Sequence, residues 1–502
     1  MATVAEKLAD SLELLKRHQD SDGAAVIHGT DTLGRTHTTR LLEAGWLKEV
    51  IKGWYIGSRP GMEGETTDWY TVYWHFVTRY CNNRFGEAWC LTPEQSLDLL
   101  SGDDKVPTQT IIRNPEGNNK PVQLLYGTGL FNLKAKMPSK VLAEPRYGLQ
   151  IYSIEEAIVS VSPSYFRNSP ISARTCLMMN LDESAVFELL LNEGASTRAG
   201  RLAGALRNVG KGEVADRLLK YMRRMGYDVR EEDPFVEKMP EVNIAVRSPY
   251  VARLSLMWQN MREQVLGCFP QPQTGQMGVE QVLKSVDERY VKDAYHSLSI
   301  EGYRVSDELI EKVRGGKWDP KGEDKDNQDV LVARGYYQAF QAVRASVGRI
   351  LHGADPAETV AREHGDWYFE MWQPMVQMEL FKPSALMGYR NIPVYIRGSR
   401  HTPMSSDAVR DAMPAFFELL KEERESAVRA VLGHFMMSYI HPYVDGNGRM
   451  SRFLMNVMLC TGGYQWTVVP VERRREYMAS LEKASVETDI TDFARLIAEL
   501  LR

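Results

Sequence analysis

No apolar run in the 502-residue sequence approaches membrane-spanning length, so no transmembrane helix is expected. The first residues make an amphipathic stretch carrying Glu6, Asp10 and Glu13, without the profile of a signal peptide. The expected compartment is therefore the cytoplasm. Cysteine is scarce. Cys81, Cys90, Cys176, Cys268 and Cys460 are dispersed with no C-x-x-C pair, which argues against a disulfide framework or a zinc site and for buried thiols in a reducing environment. Neither charge is in large excess: 61 Lys and Arg against 66 Asp and Glu leave a formal net charge of −5. That balance excludes wholesale coating of nucleic acid and leaves room for a local basic patch. Residues 1–240 hold no catalytic constellation. The length allows about three domains at ~150 residues each.

The chemistry is concentrated in residues 441–452, His-Pro-Tyr-Val-Asp-Gly-Asn-Gly-Arg-Met-Ser-Arg. Ahead of them Val428, Val431, Leu432, Phe435, Met436 and Ile440 recur at helical spacing. Pro442 forbids the helix to continue, so His441 is predicted at the very end of a packed helix, held but exposed. Gly446, Asn447 and Gly448 favour a tight turn and close backbone approach. Arg449, Ser451, Arg452, Phe453, Leu454, Asn456 and Val457 then open a second helix, whose first amides would point into the turn as an anion site. Arg449 and Arg452, about one helical turn apart, add fixed positive charge. Asp445 offers an oxygen ligand where a divalent cation bridging phosphates would need one. A base, an anion nest, a metal ligand and two arginines in so short a stretch describe a site for a nucleoside triphosphate. A plain helix–loop–helix corner is the other reading of the glycine turn, and the full spacing disfavours it.

The stretch resembles the Fic family signature, His-Pro-Phe-x-Asp/Glu-Gly-Asn-Gly/Lys-Arg-x-x-Arg. Tyr443 in place of Phe is the one departure; it keeps an aromatic ring and adds a hydroxyl. The resemblance covers about residues 285–502. It implies transfer of AMP from ATP, with Mg2+, to a Ser, Thr or Tyr hydroxyl of a protein target. In that scheme His441, with an ordinary pKa near neutrality, is the general base. Asp445 ligates Mg2+, and Gly446, Asn447 and Gly448 cradle the phosphates through backbone and amide donors. Arg449 holds the β-phosphate side and Arg452 the γ-phosphate. His434 and His401 lack this context and are read as core or flap residues.

Two further stretches belong to the same resemblance. Residues 297–302, Ser-Leu-Ser-Ile-Glu-Gly, lie in a predicted helix that Gly302 ends, with Ser297 and Glu301 on one face. They match the family's inhibitory pattern, Ser/Thr-x-x-x-Glu-Gly/Asn, which implies that Glu301 pairs with Arg452 and competes with the γ-phosphate for it. Residues 393–403 read as a strand-like hairpin just upstream of the catalytic helix. A hairpin at this place in Fic proteins resembles a flap that aligns a target's backbone by strand addition.

The N-terminal half reads differently. A helix over 3–17, a short polar helix over 35–44 and a hairpin over 46–56 turning at Gly53 make a winged helix-turn-helix. Arg35, Thr36, His37, Thr39 and Arg40 are residue types that reach phosphates and base edges. The segment resembles the N-terminal domain of AbiEi-type antitoxins, where an arginine…leucine…glycine-tryptophan/leucine…glycine-tyrosine pattern recurs. The same residues equally suit a protein-docking module. Residues 61–235 follow as an AbiEi-like α+β and helical region, with an aromatic-rich helix over 69–80, short strands, and a basic concentration between Arg198 and Arg224. An acidic, proline-bearing linker is expected at 231–241.

The expected fold is thus multidomain. Residues 285–502 form a mainly α Fic core with a β-hairpin flap, and connecting helices over 236–284 join it to an α+β N-terminal half made of a winged helix-turn-helix (1–60) and a middle region (61–235). The leading functional expectation is a self-inhibited protein adenylyltransferase. The alternatives are removal of AMP or transfer of another nucleotide by the same site, and a DNA-binding regulator in toxin–antitoxin or phage-defence systems. The target protein, the base preference and the oligomeric state are left open by the sequence.

Overall fold

The computed structural model describes residues 3–22, 26–29, 32–61, 65–192, 194–239, 248–272, 278–317 and 328–501. Its backbone contacts divide the chain into two units, Met1–Pro249 with Tyr395–Thr402, and Tyr250–Val394 with Pro403–Arg502.

The first unit opens with α1 (Val4–Asp22), β1 (Val26–His28), α2 (Arg35–Glu43), β2 (Leu47–Ile51) and β3 (Trp54–Gly57). The three strands are antiparallel in the order β1-β3-β2, and Gly53 at φ 82 makes the hairpin turn. Leu15, Ile27, Leu33, Leu41, Leu47 and Tyr55 form its small core. Next come α3 (Thr67–Phe85), β4 (Cys90–Leu91), α4 (Pro93–Leu100), β5 (Gln109–Asn114), β6 (Pro121–Gln123) and β7 (Gly129–Lys134). Their sheet has the order β4-β5-β7-β6, with β5 and β7 parallel. A short pair, β8 (Val141–Ala143) with β9 (Gln150–Tyr152), leads into six helices. These are α5 (Ile154–Ser160), α6 (Tyr165–Asn168), α7 (Pro170–Met178), α8 (Glu183–Asn192), α9 (Ser196–Asn208) and α10 (Gly212–Arg224).

Half of the basic concentration on α9 and α10 is spent within the unit, while Lys220, Arg223 and Arg224 are exposed. Arg207 pairs with Asp216 and Glu231 at 2.7 Å, and Arg217 with Glu183 at 2.6 Å. Lys211 and Arg201 donate to the carbonyls of Met179 and Val161. The expected linker also begins later than its composition suggests. Phe235 is buried against Phe166 and under the Arg174 guanidinium, while residues 240–247 lie outside the described residues.

The second unit is helical: α11 (Pro249–Leu266), α12 (Val279–Ile300), α13 (Asp307–Arg314), α14 (Gln328–Leu351), α15 (Pro356–Gln377), α16 (Ser406–Glu422), α17 (Ser426–Ile440), α18 (Asn447–Thr461), α19 (Arg474–Glu487) and α20 (Thr491–Leu500). α17 is apolar nearly all round and is buried accordingly, the signature of a central helix. The polar loop expected at 315–327 lies mostly outside the described residues. Among the described residues no helix is long and apolar enough to cross a membrane. The five cysteines are unbridged, and four of them are buried.

One expectation is corrected. Residues 391–404 contain no strand. Pro393 and Pro403 bring no N–H to a ladder, and the middle of the segment is bonded into the first unit instead. Arg397 donates to both carboxylate oxygens of Glu65 (2.6 and 2.9 Å), and the Gly398 N–H to Thr67 Oγ1 (2.9 Å). The Val106 N–H donates to the Arg400 carbonyl and Arg400 Nε to the Val106 carbonyl, both at 2.8 Å.

α14 and α15 approach each other at Gly335, where a Cβ would come within 1.9 Å of the Met371 carbonyl oxygen. Gly335→Ala therefore overpacks the helix pair and is expected to lower stability by about 1–3 kcal/mol. A shift in the urea midpoint at unchanged m-value measures it, and an unmoved midpoint contradicts the close approach.

Candidate active site

α17 ends at Ile440 because Pro442 cannot continue it, and His441 caps it in the left-handed region (φ 55, ψ 60). That conformation is uncommon for a residue with a Cβ and persists where its surroundings hold it. Arg390 does so: Nε donates to the His441 carbonyl (2.7 Å) and the backbone N–H to the Pro442 carbonyl (2.9 Å). His441 Nδ1 lies 3.1 Å from the Ser438 carbonyl, so Nδ1 carries the proton and Nε2 presents a lone pair. Burial lowers the pKa of His441 to about 4; the Ser438 carbonyl and Glu301 raise it, and Arg390 lowers it further. This lies below the near-neutral value expected from the sequence, because the half-buried imidazole is partly desolvated at a helix end that was read as exposed.

The turn that follows is built by Asn447. Its Oδ1 accepts from the Tyr443 N–H and its Nδ2 donates to the Tyr443 carbonyl, both at 2.9 Å. The side-chain amide expected to touch phosphates is thus used to close the loop. The Tyr443 ring stacks on Tyr368 at 3.8 Å, and its hydroxyl makes no hydrogen bond among the described residues. Asp445 is exposed at the tip, and Gly446 at φ 81 starts α18.

Arg449 and Arg452 are 1% and 3% exposed. Arg449 lies over the rings of Trp372 (4.8 Å) and Tyr303 (5.5 Å), with Asp445 Oδ1 3.9 Å from Nη2. Its Nε and Trp372 Nε1 make no hydrogen bond among the described residues. A Cβ on Gly446 would meet that indole nitrogen at 3.1 Å, so the donor lies beside the turn. Arg452 is surrounded: Nη2 donates to Glu301 Oε1 (2.6 Å) and the Ser297 carbonyl (3.1 Å), Nε to Ser297 Oγ (2.9 Å), and Nη1 reaches Tyr477 OH at 3.5 Å.

Glu301 caps α12, and Gly302 turns the chain away at φ 94. Its carboxylate lies over the first turn of α18, where a Cβ on Gly448 would come within 2.5 Å of Oε1. Burial pushes the Glu301 pKa up, but Arg452 and Arg449 more than offset this and leave it lowered. His441, Asp445, Gly446, Gly448, Arg449, Arg452, Ser297 and Glu301 thus meet around one corner.

The other candidates fall elsewhere. His434 is fully buried, with Nε2 2.7 Å from Tyr477 OH, and His401 is buried in the first unit. On α2, Arg35, Thr36 and Thr39 are exposed and line a shallow groove with Lys7. His37 and Arg40 turn back onto α1: His37 Nδ1 is 3.0 Å from Ser11 Oγ, and Arg40 donates to Ser11 Oγ and the Lys7 carbonyl at 2.8 Å. Both are half-buried, and Arg40 still lines the same groove. Arg390, Trp372, Tyr303 and Tyr477 were not singled out as site residues, since only tertiary packing brings them to the corner.

This arrangement can be set beside known proteins. Residues 369–459 match the model of the Fic/DOC family. Over 115 residues the chain is 37% identical to a protein adenylyltransferase Fic of Drosophila virilis and 36% identical to that of Drosophila grimshawi, covering 22% of this chain and 23% of each relative. The chain therefore spans under a quarter of the length of these curated relatives. Among solved structures, Fic-1 from C. elegans aligns over 65% of this chain and 89% of its own, at 16% identity and a TM-score of 0.37. The Fic/DOC match includes Trp372, Arg390 and the whole corner from His441 to Arg452.

The half-buried imidazole sets a testable titration. Site-resolved modification of His441 by diethyl pyrocarbonate should follow a midpoint near pH 4. A midpoint near 6.5 would contradict the burial.

Proposed function

We propose that this chain is a self-inhibited adenylyltransferase that moves AMP from ATP to a Ser, Thr or Tyr hydroxyl of a protein. The observation that carries the reading is the Glu301 carboxylate, 2.6 Å from Arg452 and over Gly448 at the start of α18. A carboxylate seated there marks an anion site, and a triphosphate competes for the same guanidinium. The Fic/DOC match over the same corner, with relatives named protein adenylyltransferase Fic, supports the reaction class.

In this reading Nε2 of His441 takes the proton of the target hydroxyl as its oxygen attacks the α-phosphorus. The bond from that phosphorus to the bridging oxygen breaks, and pyrophosphate leaves. The first amides of α18 and Arg449 receive the charge that develops on the phosphates. Arg452, once Glu301 has left it, holds the terminal phosphate and keeps the leaving group in line. Asp445 fits Mg2+, since one exposed carboxylate leaves the rest of the coordination shell to phosphate and water. The bound ion would supply charge neutralisation between phosphates.

Auto-modification with radiolabelled ATP tests the proposal. Releasing a charge-assisted hydrogen bond worth about 1.5–3 kcal/mol should let Glu301→Gly label on the order of tenfold faster than the wild type. Adding His441→Ala to it should abolish labelling and leave the unfolding transition in place. Equal labelling of wild type and Glu301→Gly removes the brake; silence of Glu301→Gly with all four nucleoside triphosphates removes the transfer.

A second role, DNA binding through a winged helix-turn-helix, is supported by Arg35, Thr36, Thr39 and Lys7 lying exposed along one groove. Retardation of the chain's own upstream DNA should weaken steeply with salt, and Arg35→Ala should lower the salt slope by about one. Absence of any retardation at low salt leaves this half as a protein-docking module.

A further inference from the structure

Arg390 joins three parts of the second unit that the sequence keeps apart. Its side chain is 2% exposed. Nε donates to the carbonyl of His441, Nη1 to that of Ile392 (3.1 Å) and Nη2 to that of Met404, while its backbone N–H takes the carbonyl of Pro442. Ile392 and Met404 are the two roots of segment 393–403. One planar guanidinium therefore ties those roots to each other and to the His441 carbonyl, and the Arg390 backbone N–H adds the Pro442 carbonyl, so that His441 is held in its left-handed conformation.

We propose that Arg390 is a positioning residue that locks the general base and both roots of segment 393–403 into one arrangement, so that His441 is aimed only while the roots are set. The inference rests on the transfer reading above. It assigns Arg390 no contact with substrate. The charged groups that face the imidazole are Arg390 and, from the end of α12, Glu301. Arg390 helps burial keep the base neutral, and Glu301 opposes it. Loss of the Arg390 charge moves the titration of His441 upward, whereas loss of the fork alone does not.

Two variants separate fork from charge. Arg390→Lys keeps the cation but cannot bridge three carbonyls in a plane; Arg390→Gln keeps neither. In full-length Glu301→Gly protein, both should lower kcat for labelling on the order of 10- to 100-fold, with KM for ATP within about twofold of the parent. With Glu301 in place, diethyl pyrocarbonate modification of His441 should keep the wild-type midpoint in Arg390→Lys and move above it in Arg390→Gln. A merely structural arginine would lower the folded fraction in a denaturant series and leave both the midpoint and the kcat-to-KM split unmoved. If the parent labels and both variants match its rate and midpoint, the inference is overturned. If the parent is silent with every nucleotide, the transfer reading fails, and the rate of His441 modification above its midpoint then decides: a changed rate in Arg390→Lys, which keeps the charge, supports the lock, and an unchanged rate overturns it. Should Arg390→Gln fail to fold, the Arg390→Lys kinetics carry the decision alone.

Discussion

A guanidinium stays charged under all conditions a protein meets, so burying one costs several kcal/mol unless an anion or ordered dipoles meet it. α18 buries two within its first turns, and they are met differently. Arg452 has a carboxylate, a serine hydroxyl, a carbonyl and a phenol around it. Arg449 has two aromatic faces, the hydroxyl of Tyr303, an exposed carboxylate at 3.9 Å and the attraction of Glu301. Cation–π contact offsets about 0.5–2 kcal/mol, less than a buried charge demands. Arg449 Nε and Trp372 Nε1 both lack hydrogen bonds among the described residues, so two donors at the start of α18 are left unspent.

Glu301 sits against local preference. A carboxylate at a helix C-terminus faces the negative end of the macrodipole, which disfavours it by about 0.3–1 kcal/mol. Glu301 occupies that end of α12, and the positive side chains of α18 offset the penalty. His441 shows the same pattern, being left-handed and half-buried where water would suit its charged form better. Local conflicts of this kind gather where tertiary structure has a task to impose. Because Glu301 belongs to the same chain, it meets Arg452 at a high effective concentration.

Much of this was legible because it depends on local chemistry. Pro442 fixes the end of α17, Gly446 and Gly302 fix turns, and the spacing of Val428, Val431, Leu432 and Phe435 fixes a buried helix. The hairpin at 47–57 followed from its alternation and Gly53. What sequence could not supply was the partner of each polar group. Arg40 and His37 have the composition of a DNA-reading helix, yet Ser11 and the Lys7 carbonyl lie within reach on α1 and take them. Arg207 and Arg217 look like a basic stripe until Glu231, Asp216 and Glu183 arrive from other elements. Asn447 fits a phosphate ligand in type, but its amide closes its own turn.

Segment 393–403 is the sharpest case. Its alternation matches a strand, and an isolated hairpin would satisfy its backbone by pairing its own arms. Here the segment is held by side chains: Arg390 bonds the carbonyls at its roots, and Glu65 and Thr67 hold Arg397 and Gly398 within the first unit. An edge offered for strand addition needs a row of unspent N–H and C=O groups. The Gly398 N–H and the Arg400 carbonyl are already bonded, and Ser399 donates back to Ile396 at 3.1 Å. Within the turn the backbone therefore offers no such row, and the stretches outside it run back to the roots that Arg390 grips beside His441.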